Sequence, residues 1–393
     1  MTIFKSIICL ICLCILISCS PKEKELVISV KNTLDMDRSF ETVALNKEDL
    51  MVEDISIIGI KDMQTKELET TQTVDSDGDG IMDQLLFQPE ITANSENRYA
   101  VVIIQPNQQL EVEDYCYSRF VPERTDDYAW ENNKVAFRVF GPTAQKMKEE
   151  AIPGGTLSSG VDAWLKRVSH PIINNWYKKE IETEGTYHED TGEGLDNFHV
   201  GISRGVGGLA IKKNNTYYFS KNYTKWKTIT TGPIRTSFYL EYKDWDADGT
   251  AIKESKIISL DYGNNLSKFE TTIIGSDIIA AGLTLHKKDG IVTTNMEKGW
   301  ISYWQHHENS ELGMAIVANP SSFSDYEKYD VEAKDLSNLY AHLKVSENKI
   351  IYYAGFGWKE SGQFKNRKEW ETYLGVFAKK IITPLEVEVQ SAY

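Results

Sequence analysis

The 393-residue chain has five cysteines, and four of them (Cys9, Cys12, Cys14 and Cys19) crowd its first 19 positions. Only Cys116 remains beyond them, so the folded part has neither a disulfide framework nor a cysteine metal cluster. A lone cysteine of this kind reads as a small buried hydrophobe. Positive charge is short as well: 43 Lys and Arg stand against 58 Asp and Glu, a formal net charge of −15, and the basic residues form no long block. That excludes nucleic acid as a partner and excludes capture of anionic polymers by bulk attraction. An acidic ligand would have to be held by a few placed arginines or lysines. Helical periodicity is scarce, and there is neither an internal repeat nor a low-complexity linker.

What is present begins with the leader MTIFKSIICLICLCILISC. Lys5 precedes an apolar run from Ile7 to Ile17 that is too short for a permanent membrane span, so residues 1–18 read as an export signal. Leu16-Ile17-Ser18-Cys19 resembles a bacterial lipobox, which implies acylation of Cys19. Residues 19–25, containing PKEKE, then form a charged tether. The mature protein is expected in the cell envelope, held by its lipid at the outer membrane, on the periplasmic or surface face.

The remainder carries strand-like runs separated by turn signals, among them ELVISVKNTL, RYAVVIIQ, IRTSFYLEY and KIIYYAGFGW. Arg235–Tyr242 alternates in the manner of a half-buried strand. Short strands at this spacing predict a mainly β fold, one large β-sandwich over 26–393 with few short helices, in which 26–115 forms an N-terminal sub-sheet. Helices are expected at Lys365–Leu374, Thr143–Glu150 and Ser159–Arg167. The 9 Trp and 20 Tyr fit either sandwich packing or the stacking of rings on sugars. Asp75, Asp77, Asp79 and Asp83, with Gly80, follow the first part of a calcium loop, but Leu86 stands where the bidentate glutamate belongs. A structural calcium and a plain Asp/Gly turn both fit. The Asp244–Gly249 segment reads as a hairpin turn.

One segment stands apart. YHEDTGEGLDNFHVGISRGVGG, residues 187–208, holds six glycines, two histidines, four acids and an arginine. Glycine allows close backbone approach and left-handed conformations. No zinc-protease spacing, nucleophile elbow or phosphate fingerprint matches it. It reads as a ligand or active-site loop in which Tyr187, His188, Asp190, Glu193, Asp196 and Arg204 meet.

That block, with Trp164–Arg167 and Trp176-Tyr177 upstream, resembles a Bacteroidota lipoprotein family of polysaccharide-utilisation loci. DGDGIMDQLLFQ (77–88), NKVAFRVFGP (133–142), TTGPIRTSFYLEY (230–242) and YYAGFGWKESGQF (352–364) extend the resemblance over nearly all of the mature chain. The family includes an oligosaccharide dehydratase of ulvan breakdown. The resemblance implies loss of water from a non-reducing-end uronic acid, leaving a 4,5-unsaturated sugar. It also implies a supersandwich similar to galactose mutarotases and polysaccharide lyases, with no required cofactor. Val206 and Phe198 depart from the cysteine and tyrosine expected there.

Elimination needs a base for the C5 proton, an acid for the departing C4 hydroxyl and a cation on the uronate. His188 and Tyr187 are candidates for the first two, and Arg204, Arg138 or Arg167 for the clamp. For a glucuronate both leaving groups lie on one face, so a single residue can serve as base and acid. Asp190, Glu193 and Asp196 would orient His188, bind hydroxyls or hold a metal with it. Trp358 and Lys359 could form a sugar platform. His306 and His307 either line the cleft or pair on the surface, and His170 is expected to pack in a turn. Two other readings stay open: a non-catalytic glycan-binding lipoprotein, and a glycoside hydrolase using Glu193 and Asp196.

Overall fold

The computed structural model describes residues 25–392 apart from 106, 107, 109 and 334, so Cys19 and nearly all of the tether lie outside the described residues. The alternating runs become strands, and the molecule is 46% strand and 15% helix, arranged in antiparallel sheets. The widest sheet runs Tyr223–Thr230, Arg235–Tyr242, Ala251–Asp261, Leu266–Ile274, Lys349–Trp358, Ser310–Ala318, Trp300–His307 and Ile291–Asn295, with Trp245–Asp246 pairing beside Ala251–Asp261. Two five-stranded sheets pack against it. One contains Val206–Lys213, Ile278–Thr284 and Asn338–Lys344; the other contains Tyr117–Val121, Asp127–Glu131, Ala136–Val139, Asp162–Lys166 and Gly194–Leu195. A single buried core draws on all three, for example Trp130 and Phe137, Leu209 and Leu283, and Phe238 and Phe356. The mainly β sandwich expected from the alternation is what forms.

Residues 25–103 build two smaller sheets around a separate core that includes Ile28, Val30, Leu45, Ile60, Phe87 and Tyr99. The last strand, Glu386–Ala392, returns to pair with Glu25–Lys31. Gln72 fastens this unit to the wide sheet by accepting from the amides of Ile234 and Arg235, both at 2.9 Å.

Helices form at Pro142–Glu149 and Arg367–Ile382, near two of the expected places. The third expectation fails: Asp162–Lys166 is a strand buried on both faces, so its apolar spacing carried no helical meaning. A helix forms instead at Ile173–Glu182, with Ile173, Trp176 and Tyr177 buried along one stripe. No helix among the described residues is long and apolar enough to cross a membrane.

Asp75, Asp77 and Asp79 bring carboxylate oxygens within 4.8 Å of one another in an exposed turn. Asp83 is used differently, accepting from the amide and hydroxyl of Ser76 at 2.9 and 2.6 Å. Asp75 caps the amides of Gly78 and Gly80, so the turn is tied by its own backbone.

One buried ion pair docks the middle helix. Lys166 Nζ lies 2.6 Å from Glu131 and also donates to the carbonyls of Asn132 and His170 at 2.9 Å. Glu131 in turn accepts from the amides of Ile172 and Ile173, where the helix begins. Removing one partner strands a buried charge, at a cost of about 3–5 kcal/mol. Lys166→Met is therefore expected to lose stability of that size in urea denaturation, and a variant as stable as the parent would contradict the pairing.

Candidate active site

The alternation of the five-stranded sheet that contains Ala136–Val139 decides what faces what. Phe137 and Val139 point into the main core, so Arg138 points to the opposite face. Asp162 is its direct cross-strand neighbour. Trp164, Trp176, Tyr177 and Tyr187 form an aromatic cluster on that same face, under the Ile173–Glu182 helix and the start of the glycine-rich loop. A guanidinium is thereby buried among rings, with its carbon 5.2 Å from the Trp164 centroid and 5.7 Å from that of Tyr187.

Burial of that charge is compensated by carboxylates. Arg138 donates to Asp162 Oδ2 from Nε at 3.0 Å and from Nη2 at 2.6 Å. Nη2 also reaches Asp196 at 2.9 Å, Nη1 donates to the Tyr187 hydroxyl at 3.0 Å, and Asp127 lies 3.6 Å from Nη1. Arg124 Nε donates to the same hydroxyl at 3.2 Å, and Tyr177 donates to Asp127 at 3.1 Å. Burial alone would weaken the Arg138 proton, but Asp196, Asp162 and Asp127 outweigh it, so the guanidinium stays charged. The carboxyls respond in the opposite sense. Burial, then the charge of Asp196, pushes Asp162 up to about 7; burial pushes Asp127 up to about 6 despite Arg138 and Arg124. Burial raises Asp196 as well. Asp162 Oδ1 is buried with no hydrogen-bond partner.

Above this network opens a cleft of about 380 Å³, lined by Arg138, Asp162, His188, Asp196, Phe198 and His199 among others. His199 is exposed, and so is His188, with 52% of its side chain accessible. Its Nδ1 lies 2.5 Å from the backbone carbonyl of Asp196. A carbonyl can only accept, so Nδ1 carries a proton, and in the neutral ring Nε2 is the acceptor. The loop that places it folds back on itself: the Asp196 amide donates to the Tyr187 carbonyl at 2.9 Å. Gly194, at φ +110°, is required there, because a Cβ would lie 2.0 Å from the Leu165 carbonyl oxygen.

The sequence-derived candidates therefore separate. Tyr187, His188, Asp196 and Arg138 come together. Arg204 does not join them: it is fully buried, donates to Ser159, Leu209 O and Ile202 O, and lies 3.8 Å over the Phe219 ring. Asp190 accepts from Gly192 and Gly194 and pairs with Arg167, which also approaches Glu360. Glu193 accepts from Trp176 Nε1 at 3.1 Å and bonds His170 at 2.8 Å, and it does not line the cleft with Asp196. These acids fasten the loop and do not gather with His188 as metal ligands. Trp358 is buried in the main core and is no sugar platform; Lys359 pairs with Glu311. Cys116 is free and buried, as expected of a small hydrophobe.

A second hollow of about 260 Å³ adjoins the cleft, sharing Asn197 and His199. His307 lines it, buried, 2.8 Å from Asn197 Oδ1. Burial, then His286 and Lys287, lowers His307 to about 4. His306 is exposed on the rim, so the two histidines divide between the expected roles. Sequence reasoning missed Asp162, Asp127 and Arg124. The available signal was alternation: Arg138 shares a face with Asp127 and Glu131 on one neighbouring strand and with Asp162 and Lys166 on the other.

A family model described as "Domain of unknown function (DUF4861)" matches residues 30–387. "Uncharacterized protein P7" of Formosa agariphila is 54% identical over 378 residues, covering 95% of this chain and 96% of the relative. Among solved structures, a protein in the Glycosyl Hydrolase Family 38 from Enterococcus faecalis superposes with a TM-score of 0.54 at 9% identity, over 94% of this chain and 48% of that one. An α-mannosidase from E. faecalis V583 gives 0.49 at 10% identity, over 95% and 47%. The chain spans about half the length of these solved structures, and at such identity the first likeness concerns the fold alone.

The proton on Asp162 has a measurable consequence. An unfolded aspartate releases its proton near pH ~4, whereas the folded Asp162 holds it to about 7. The folded chain therefore binds more protons across that window, and the stabilisation is complete below it and lost as pH rises through it. His307, lowered from 6.5 to about 4, works in the opposite direction, so a difference profile is the clean readout. The stability of the parent relative to Asp162→Asn should fall as pH rises from about 4 to about 7. A flat difference would mean Asp162 is ionised throughout.

Proposed function

The chain belongs to the DUF4861 family, and we propose that it is a carbon–oxygen lyase removing water from the non-reducing-end uronic acid of an ulvan-type oligosaccharide. The observation that carries this reading is His188: its Nδ1 is committed to the Asp196 carbonyl, and its ring lines a cleft that a buried guanidinium also lines. A binding site seldom needs a fixed imidazole acceptor over such a network. The family resemblance supplies the substrate class.

In this mechanism His188 Nε2 takes the C5 proton. The C5–H electron pair becomes the C4=C5 bond, the C4–O bond breaks, and the imidazolium returns its proton to the departing hydroxyl, which leaves as water. For a glucuronate both events occur on one face, so one residue can complete the cycle. The carbanion-like charge developing at C5 spreads into the substrate carboxylate, and stabilising it is the work of fixed positive charge. Arg138, with Arg124 behind Tyr187, supplies that charge. Each proton kept on Asp162 or Asp127 leaves more of it available to the substrate. We also place the protein at the outer membrane through Cys19, on the strength of the lipobox. Cys19→Ala should move it from the membrane to the soluble fraction, and equal retention would refute the anchor.

The test of activity is incubation with uronic-acid oligosaccharides, following ultraviolet absorbance of the conjugated acid together with product mass. Loss of one water without shortening is expected. Chain shortening would favour a hydrolase or ordinary lyase, and no change would favour a binding protein. His188→Ala should reduce kcat by about 10²–10⁴-fold with the fold intact. Arg204→Lys should lower stability while the folded fraction turns over normally, because Arg204 holds the sheet and not the cleft. An inactive, stably folded Arg204→Lys would overturn the assignment of the clamp to Arg138.

A further inference from the structure

We propose that the hollow between the N-terminal unit and the wide sheet binds a neutral sugar residue of an oligosaccharide, at a site separate from the cleft of His188. The hollow measures about 250 Å³ and shares no lining residue with that cleft. Its wall is aromatic: Tyr262 lies 5.9 Å from Phe40 and 5.3 Å from Tyr115 between ring centroids, tilted by 58° and 52°. Phe40 is 40% exposed and sits at φ +56°, a conformation that a bulky side chain rarely adopts. The fold holds it there through Asn264, whose side chain donates to the Phe40 carbonyl at 3.0 Å. An apolar ring is thus presented to solvent beside two others.

The opposite lining is acidic. Glu69, Glu90 and Glu113 border the hollow, and among the described residues no Lys, Arg or His lines it. Among the described residues, neither Glu69 nor Glu90 has a side-chain hydrogen bond or ion pair. Burial, then the charges of Asp62, Glu90 and Glu67, pushes half-buried Glu69 up to about 6. Rings that can take a flat C–H face, next to acceptors lacking donors, match the two faces of a pyranose: apolar on one side, hydroxyl-bearing on its edge. The missing cation excludes uronates and sulfate esters, which the like charge would repel. A small ammonium would satisfy the carboxylates, but the hollow is the size of a sugar ring and its tilted rings form an open wall and not a closed box.

Xylohexaose is a suitable probe, with tetragalacturonate and tetramethylammonium as controls, each titrated by calorimetry against the full chain. Xylohexaose should bind and the other two should not bind here. Tyr262→Ala should weaken xylohexaose by about tenfold, Tyr262→Phe should retain it and so exclude misfolding, and Glu69→Gln should weaken it several-fold. Turnover of uronic substrates should be unchanged in all three variants, so the result is independent of the reaction proposed for the cleft. Binding that survives Tyr262→Ala would overturn the proposal, as would an absence of xylohexaose binding or a preference for tetramethylammonium.

Discussion

A guanidinium buried under a helix must be matched by negative charge, and the cleft of this protein is organised by that requirement. Arg138 reaches Asp162 across one strand pairing, Asp127 on the strand that flanks it on the other side, and Asp196 on the glycine-rich loop. More carboxylate surrounds it than one guanidinium can neutralise, so protons are retained in the interior. The same contacts fix the loop: Asp196 is held by its side chain, and its carbonyl then orients His188. Rigidity, charge and imidazole orientation share one origin.

The sheets make this arrangement affordable in physical terms. Strand alternation sends Phe137 and Val139 into a large apolar core, leaving the other face of the same strand to carry polar groups. The Lys166–Glu131 pair then seats the helix that roofs that face. Trp164, Tyr177 and Tyr187 exclude water around Arg138, which strengthens each of its charge interactions.

Much of this could be read from the residues, and the failures have physical causes. Alternation in Arg235–Tyr242 and its neighbours gave the fold class, because a period of two survives in half-buried strands. The glycine-rich block marked a loop that lines the cleft, since positive φ and close approach at Gly194 leave a composition trace. Arg204 was misassigned because its direction depends on Gly205, at φ +57°, which turns the chain into the sheet and sends the side chain against Phe219. That turn is invisible without coordinates. Asp162 and Asp127 were passed over because an acid at the start of a short strand resembles a turn residue; only register sets Asp162 opposite Arg138, and only the folded sheet brings Asp127 to 3.6 Å from it. Trp358 followed the opposite course, since an aromatic after a glycine-rich strand can equally face solvent or core.

The central claim is that a uronate lies between His188 and the Arg138 network. It is tested most directly by a crystal structure of the His188→Ala variant soaked with a uronic-acid oligosaccharide. The account predicts a terminal uronate in the cleft, its carboxylate toward Arg138 and its C5 hydrogen facing the space vacated at position 188. A sugar seated elsewhere, with this cleft left empty at full ligand occupancy, would contradict it.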